Sequence, residues 1–143
     1  MISDEVIQAA IIAKLRTLTT LTDLLGDKVS GVKEFQWQGD TFSYPALRLD
    51  LESNDWSFDD YGRCTAQDVE FSLYFYSEER SSKQCSQLKG TAINLLVGKG
   101  FTQNGLRFGE VRITQGGNVP AIREDEVTWR SQAKLSTRVT IAS

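Results

Sequence analysis

The sequence predicts a two-layer α+β fold in which a mainly antiparallel, curved β-sheet carries two α-helices on one face. Two observations support this prediction. Residues 66–76 alternate apolar and polar side chains with the period of a half-buried strand. Two other segments repeat apolar residues three and four positions apart, as amphipathic helices do. An apolar sheet face and two apolar helix stripes bury each other by stacking in two layers.

The most regular alternation lies in residues 66–76, and we predict that this segment is the central strand. Its apolar residues project to one side of the extended chain, whereas Glu70, Ser72, Tyr74 and Tyr76 project to the other. The apolar set is Val69, Phe71, Leu73 and Phe75. The other elements are therefore expected to pair beside this strand or to pack on its apolar side.

Length and composition favour one domain over residues 1–143. The chain is 40% hydrophobic and 24% charged, which is ordinary for a globular protein. It has no apolar run near the roughly 18 residues that span a bilayer, and its N-terminus is acidic. We therefore expect a protein made in the cytoplasm and not bound to membrane. A net charge of −3 argues against a dedicated nucleic-acid binder.

The sequence lacks the residues or motifs that several classes of catalytic and cofactor site require. The chain has no histidine, which excludes nucleophile schemes that use a histidine base. Cys64 and Cys85 lack the spacing of a zinc site, and we expect buried thiols more than a disulfide. No phosphate-binding glycine motif opens a helix. The acidic turns at Asp59-Asp60 and residues 124–126 fit solvated turns better than cation sites. We expect no catalytic residue, metal or cofactor, although paired carboxylates of an unrecognised small enzyme stay open.

Two helices are predicted. Ser3 can cap the first, at residues 4–17, and Asp4 and Glu5 meet the positive end of its dipole. A short helical turn then ends at Gly26, which we expect to be its C-cap. The second helix covers residues 82–97 and ends at Gly98. The predicted apolar stripes are Val6, Ile7, Ala10, Ile11 and Ala13 in the first helix, and Cys85, Leu88, Ala92, Leu95 and Leu96 in the second.

Strands are predicted between the two helices in the chain and after the second helix. A weak, bulged strand is expected within residues 28–38, and a strand at residues 46–51 begins after Pro45. Further strands are expected at residues 106–108, 110–115 and 128–142. The residues expected to face the core are Leu47, Leu49 and Leu51, then Val111 and Ile113, then Trp129, Ala133, Leu135, Val139 and Ile141.

The last strand is too long for a flat sheet. Fifteen extended residues span roughly 50 Å, whereas a compact domain of this size is roughly 37 Å across. The strand must therefore coil, contain a bulge or extend onto another subunit.

Residues 53–63 combine aromatic and acidic side chains between two predicted strands. The residues of interest are Trp56, Phe58, Asp59, Asp60 and Tyr61. They fit either a hairpin tip whose rings fold back onto the domain, or a protruding contact loop, since aromatic residues are enriched in interfaces.

A row of basic residues, Arg130, Lys134 and Arg138, is spaced four apart along the last predicted strand. An ordinary solvated face is one interpretation of this row. If the basic row and the acidic aromatic loop both make contacts, they are complementary patches on one molecule. Such patches join copies head to tail and can close into a ring.

The order of elements resembles that of the tail-terminator and tail-completion proteins of long-tailed bacteriophages. The similar segments are Leu24-Leu25-Gly26, the strand led by Tyr44-Pro45, residues 69–78 running into the helix at 85–96, and the closing strand at 129–141. The acidic residues 124–126 stand where this family's pattern has a short glycine turn. The resemblance covers most of the chain.

This resemblance implies a phage structural protein without a catalytic site. Such a subunit forms a ring, expected to be hexameric, on the end of the tail tube, stops tube polymerisation and provides the head-joining surface. Its partners are its own copies, the tail tube protein and the head-tail connector protein, and DNA passes only as cargo. The protein would reside in the virion. A connector, another minor tail or baseplate protein, and a monomeric binding adaptor remain alternatives.

Overall fold

The computed structural model describes residues 2–35, 43–58, 60–62, 64–78, 82–115, 121–123 and 128–141. These residues form three α-helices, a 3₁₀ turn and eight strands. In chain order they are α1 (Asp4–Thr17), α2 (Thr19–Thr22), the 3₁₀ turn (Lys28–Gly31), β1 (Val32–Glu34), β2 (Ala46–Phe58), β3 (Cys64–Ser77), α3 (Lys83–Leu96), β4 (Phe101–Gln103), β5 (Leu106–Phe108), β6 (Arg112–Gln115), β7 (Ile122–Arg123) and β8 (Trp129–Ile141). The predicted α+β class is confirmed.

The eight strands form one sheet in the order β1-β2-β3-β8-β5-β4, and β6 and β7 also pair with β8. Strand β1 is parallel to β2, and the other pairs of named strands are antiparallel. The predicted central strand, β3, lies between the two other long strands. It pairs with β8 from Gln67 to Ser77 without a register shift. Since the sheet is curved, the long strands coil with it, which is one of the three expected solutions to their length.

Helix α1 has the predicted bounds. The hydroxyl of Ser3 accepts a hydrogen bond from the backbone N of Val6 at 3.4 Å, and the helix buries Ile7, Ala10, Ile11 and Leu15. Val6, which was expected in the apolar stripe, is 47% exposed. It lies one residue, or about 100° around the helix, from Ile7 and so turns away from the sheet.

Helix α3 is one residue shorter at each end than predicted and buries Cys85, Leu88, Ala92 and Leu96. Gly98 follows with φ +81°, the left-handed conformation expected of a C-cap glycine. Gly26 differs, because α2 ends at Thr22 and its C-cap residue is Asp23. A Cβ at Gly26 would lie 2.5 Å from the carbonyl O of Tyr44. A close backbone approach, and not the predicted C-cap, therefore requires this glycine.

The helices cover one face of the sheet, which we call the covered face. One hydrophobic cluster joins the helices to this face. Its sheet residues include Leu47, Leu49, Val69, Phe71, Leu73, Phe75, Ala133, Leu135 and Val139. Two residues predicted to face the core lie outside it: Ile113 is 38% exposed and Ile141 is 71% exposed. Ile113 lies on β6, which among the described strands pairs only with β8, and Ile141 is the last residue of β8.

Two local predictions need correction. The strand expected within residues 28–38 is a 3₁₀ turn followed by the short strand β1, and residues 36–38 lie outside the described residues. The hairpin of β4 and β5 was not predicted. Asn104 and Gly105, with φ of 53° and 77°, form its turn. Asn-Gly is the usual signal of a two-residue hairpin turn, so this hairpin was recognisable from the sequence.

No helix in the described ranges is long and apolar enough to cross a membrane.

Candidate functional site

The predicted aromatic loop is largely strand. Strands β2 and β3 stay paired as far as Phe58 and Cys64, so residues 53–58 continue β2. Tip residues 60–62 are described, whereas Asp59 and Arg63 lie outside the described residues. We call residues 56–66 the arm. The sequence concealed this extension because Ser53, Asn54 and Asp55 have low strand propensity.

A β-bulge in β2 decides which side of the hairpin each arm residue occupies. Leu51 pairs with Phe71, but Ser53 pairs with Glu70, which leaves Glu52 as an extra residue. Directly paired residues share a sheet face. Trp56, opposite Gln67, therefore lies on the covered face. In an unbroken register Trp56 would lie on the other, uncovered face.

The arm presents aromatic surface to solvent. Trp56 is 46% exposed and Tyr61 is 84% exposed. Gly62 has φ +77°, a conformation that glycine adopts without strain and that closes the tip. Asp60 is also exposed. The ring of Tyr61 at the tip is thus mostly exposed, whereas Trp56 is about half buried.

The basic row lies on the uncovered face, as the alternation predicted, but its members have partners within the subunit. Lys134 Nζ lies 2.8 Å from Glu52 Oε2, and both side chains are about three-quarters buried, with exposed fractions of 26% and 23%. Ser72 Oγ donates to Glu52 Oε1 at 2.6 Å. The bulged residue thus joins β2, β3 and β8 through one carboxylate.

The pKa values of this pair move in opposite directions. The hydrogen bond to Glu52 raises the pKa of Lys134. Burial raises the pKa of Glu52, but the hydrogen bonds from Lys134 and Ser72 outweigh burial and the net pKa falls. Asp50 differs, because burial and then the Glu52 charge raise its pKa. At neutral pH the Glu52–Lys134 pair is therefore fully charged.

The other two basic residues are more exposed. Arg138 Nε donates to Asp68 Oδ1 at 3.0 Å, and Nη2 donates to Oδ2 at 3.4 Å. The side chains of Arg138 and Asp68 are 61% and 53% exposed. The guanidinium carbon of Arg130 lies 5.7 Å from the ring centroid of Tyr74, in the range of a cation–π contact. The row is therefore not a stripe of uncompensated positive charge.

A groove of about 560 Å³ lies on the uncovered face near the base of the arm. Its lining residues are Ser53, Asp55, Asp68, Val69, Glu70, Glu110, Arg112, Ser136, Thr137 and Arg138. Asp55 and Asp68 are directly opposite each other on β2 and β3. The groove thus brings the last member of the basic row close to the root of the arm, two features that the sequence placed far apart.

Cys85 is a free, buried thiol. Its Sγ donates to the carbonyl O of Phe75 at 2.9 Å, and burial raises its pKa to about 11. Cys64 lies at the other end of β3, eleven extended residues or roughly 36 Å from Phe75. The two cysteines are thus too far apart for a disulfide within the subunit.

Within the described ranges, no group of three or more histidine, cysteine, aspartate or glutamate side chains could hold a metal ion. The features that stand out in the part of the chain that the structure describes are the exposed residues Trp56 and Tyr61 of the arm and the charged residues of the uncovered face.

Sequence reasoning missed the partners of the basic row and the residues that support the arm. Glu52 and Asp68 were not singled out, although Asp68 follows the alternation of β3. Glu52 could be placed only with knowledge of the bulge. Gln67 and Asn54, which lie at the base of the arm, also carry no distinctive motif.

Comparison with known proteins gives a similarity of structure. No family model matches this chain, and no curated protein matches it. A chain of the virion of a native gene transfer agent particle has a similar structure, with a TM-score of 0.64 and 16% sequence identity. The similarity covers 92% of this chain and 92% of that chain. At this level of identity the similarity is one of fold.

Proposed function

We propose that this protein is a structural subunit of a phage-like particle, with the specific role of a tail terminator. In this role, copies of the chain form a ring, hexameric in the related family, at the end of the tail tube. The ring ends tube polymerisation and offers the surface for head joining. The protein acts without catalysis or cofactor, as one domain over residues 1–143, in the head-proximal part of the tail.

The observation that carries this proposal is the fold similarity to a chain of a gene transfer agent virion, which extends over 92% of both chains. The similarity was found from the structure. It supports a structural role in a virion-like particle, and the terminator role rests on the order of elements in the sequence, which resembles that of tail terminators. The exposed arm and the charged uncovered face are the surfaces that such a subunit requires for contacts with copies and with the tube.

We assign the arm to the contact between subunits. Trp56 and Tyr61 offer large, stiff side chains at low entropic cost, and such residues dominate the binding energy of many interfaces. The paired strands of the arm also continue past Gln67, the last residue of β3, toward the tip, that pairs with β8. Head-to-tail contact between the arm and the next copy would generate a ring if the rotation closes.

The proposal is tested by electron microscopy and sedimentation of the purified protein, alone and with tail tubes of its own particle. We expect rings, or discs bound to one end of the tube. A protein that stays monomeric at high concentration and ignores tubes would contradict the terminator role. Binding to a preformed head, and not to the end of a tube, would instead favour the connector role.

The role of the arm is tested by the double variant Trp56→Ala/Phe58→Ala. We expect the variant to fold and to lose assembly by at least about tenfold, because the anchor side chains are gone. The control is Val29→Ala, which truncates an apolar side chain that is 47% exposed in the 3₁₀ turn before β1. Sedimentation of the double variant identical to that of wild type would refute this assignment.

The basic row is tested by Arg138→Glu, because Arg138 is its most exposed member and forms an ion pair with Asp68 in the groove. If the basic row contacts a neighbouring copy or lines the channel, reversing the charge at Arg138 lowers ring formation or infectivity. The control is Arg107→Glu, which reverses the charge of an exposed residue on β5. Unchanged assembly and infectivity for Arg138→Glu would leave the row as an ordinary solvated face.

A further inference from the structure

The N-terminal residues are attached to the central strand by a side-chain amide. The backbone N of Ile2 donates to Gln67 Oε1 at 2.7 Å, and Gln67 Nε2 donates to the carbonyl O of Ile2 at 2.9 Å. The amide thus binds both backbone groups of one residue, as a neighbouring strand would. Ile2 is 9% exposed and Gln67 is 1% exposed. Water therefore competes little for these hydrogen bonds.

A second link joins the same segment to the other strand of the hairpin. Gln67 Nε2 also donates to Asn54 Oδ1 at 2.9 Å, and Asn54 Nδ2 donates to Asp4 Oδ1 at 2.8 Å. Asp4 opens helix α1, whose N-cap is Ser3. The segment Ile2–Asp4, which we call the strap, is therefore bonded to β2 and to β3 and continues directly into a helix packed on the core.

The strap lies at the row where the arm leaves the body. Gln67 pairs with Trp56 on one side and with Val139 of β8 on the other. It is the last residue of β3, toward the tip, that pairs with β8. Beyond this row, the described strands of the arm pair only with each other. An isolated two-stranded ribbon is marginally stable, so support at this row determines how firmly the arm is held.

We propose that the strap fixes the base of the arm through Gln67 and Asn54 and holds Trp56 in position. The assembly role of this positioning rests on the function proposed above. Gln67 and Asn54 are positioning residues and need not touch the neighbouring copy. In this scheme α1, the core helix, controls the orientation of the arm through a polar network at its N-terminus, because each hydrogen bond is directional.

The test compares Gln67→Met with Gln87→Met, the same substitution at an exposed position of α3. Methionine keeps the length of the side chain but removes all three hydrogen bonds of Gln67. Hydrogen–deuterium exchange is measured on the full chain, with any tag at the C-terminus to leave the strap intact. We expect amides of residues 56–58 and 64–66 to exchange at least about tenfold faster in Gln67→Met. Amides of residues 71–75 should be unchanged.

A second pair of variants covers the outcome that Gln67→Met does not fold. Asn54→Ala removes the link to Asp4 at a half-buried position, and Asn94→Ala is its control on the exposed side of α3. Arm exchange equal to that of wild type in Gln67→Met, or in Asn54→Ala if Gln67→Met does not fold, would overturn the strap proposal. This result does not depend on whether any variant assembles.

Assembly is then measured on the same samples by sedimentation. Faster arm exchange with a raised concentration for ring formation would support the positioning role. Faster arm exchange with unchanged ring formation would overturn that role. If the wild type forms no ring at any concentration, alone or with tail tubes, the terminator function fails, while the exchange data still decide whether the strap holds the arm.

Discussion

The two faces of the sheet have the same backbone but opposite chemistry. On the covered face, Leu49, Leu73 and Ala133 are adjacent across β2, β3 and β8, and each is at most 1% exposed. One residue along, Asp50, Ser72 and Lys134 form the matching row on the uncovered face. The covered row is stabilised by burial, which depends on area and not on direction. The uncovered row depends on particular hydrogen bonds.

This difference separates stability from recognition. A residue buried under the helices, such as Leu73, can be replaced by another apolar residue of similar volume at small cost, and its surface is not available to a partner. The more exposed residues of the uncovered face, such as Arg138 and Asp68, contribute less to folding, because water competes for their charges. They are accessible, and the pattern of acids and bases there can select a partner. The predictions below test this separation, from the largest expected effect to the smallest.

The sharpest test compares neighbouring residues of β3. Phe71→Ala removes a ring that is 1% exposed and should lower the free energy of unfolding by about 3–5 kcal/mol. Glu70→Ala, on the uncovered face, should change it by less than about 0.5 kcal/mol. Urea denaturation followed by circular dichroism measures both. Equal effects would mean that the two faces do not divide these roles.

The buried thiol gives a pH-dependent test of the covered face. Because burial raises the pKa of Cys85 from 9.0 to about 11, the thiol stabilises the fold at pH values below 9. That stability is lost as the pH rises through the folded-state pKa. Relative to Cys85→Ala, the wild type should lose up to about 2 kcal/mol between pH 9 and 11. If the free energies of unfolding of the wild type and of Cys85→Ala changed with pH in parallel, the burial of the Cys85 thiol would be contradicted.

The Glu52–Lys134 pair gives a smaller effect at the acid end. Because hydrogen bonds lower the pKa of Glu52 below its ordinary 4.5, its contribution is present above pH 4.5 and is lost as the pH falls through the folded-state value. In Glu52→Gln the free energy of unfolding should therefore fall less steeply as the pH decreases below 4.5. A double-mutant cycle with Lys134→Met measures the coupling, which should be smaller than the effect of Phe71→Ala. A coupling free energy of zero would mean that the Glu52–Lys134 pair does not contribute to stability.

The Arg138–Asp68 pair should give the smallest effect on folding. Both side chains are more than half exposed, so salt screens their attraction. Arg138→Gln should leave the thermal midpoint unchanged within error at physiological salt. Differential scanning calorimetry at low and high salt provides the measurement. A large loss of stability would show that the uncovered face contributes to folding more than its exposure suggests.

The sequence predicted those elements whose pattern is local and long. Helix α1 was predicted with its observed bounds, because Ser3 and the acids of its first turn mark its start. The alternation of residues 66–76 also predicted β3 as the central strand, with Phe71 and Phe75 in the core. In these cases the residues that form the element also contain the signal that defines it.

The candidate site was predicted less completely. The alternation placed Arg130, Lys134 and Arg138 on one face, but it could not show that Glu52, Tyr74 and Asp68 are their partners. Those partners lie on other strands, and cross-strand register depends on tertiary packing. The interface roles of the arm and of the basic row remain predictions.

By itself the sequence determined the fold class, the two main helices, the core face of β3 and the absence of histidine chemistry. These properties follow from composition and from periodicities that burial imposes on neighbouring residues. Tertiary structure alone decided that residues 53–58 extend β2, that the bulge at Glu52 turns Trp56 to the covered face, and that Ile2 is bonded to Gln67. Each of these outcomes depends on contacts between residues far apart in the chain, whose free energies a local pattern does not contain.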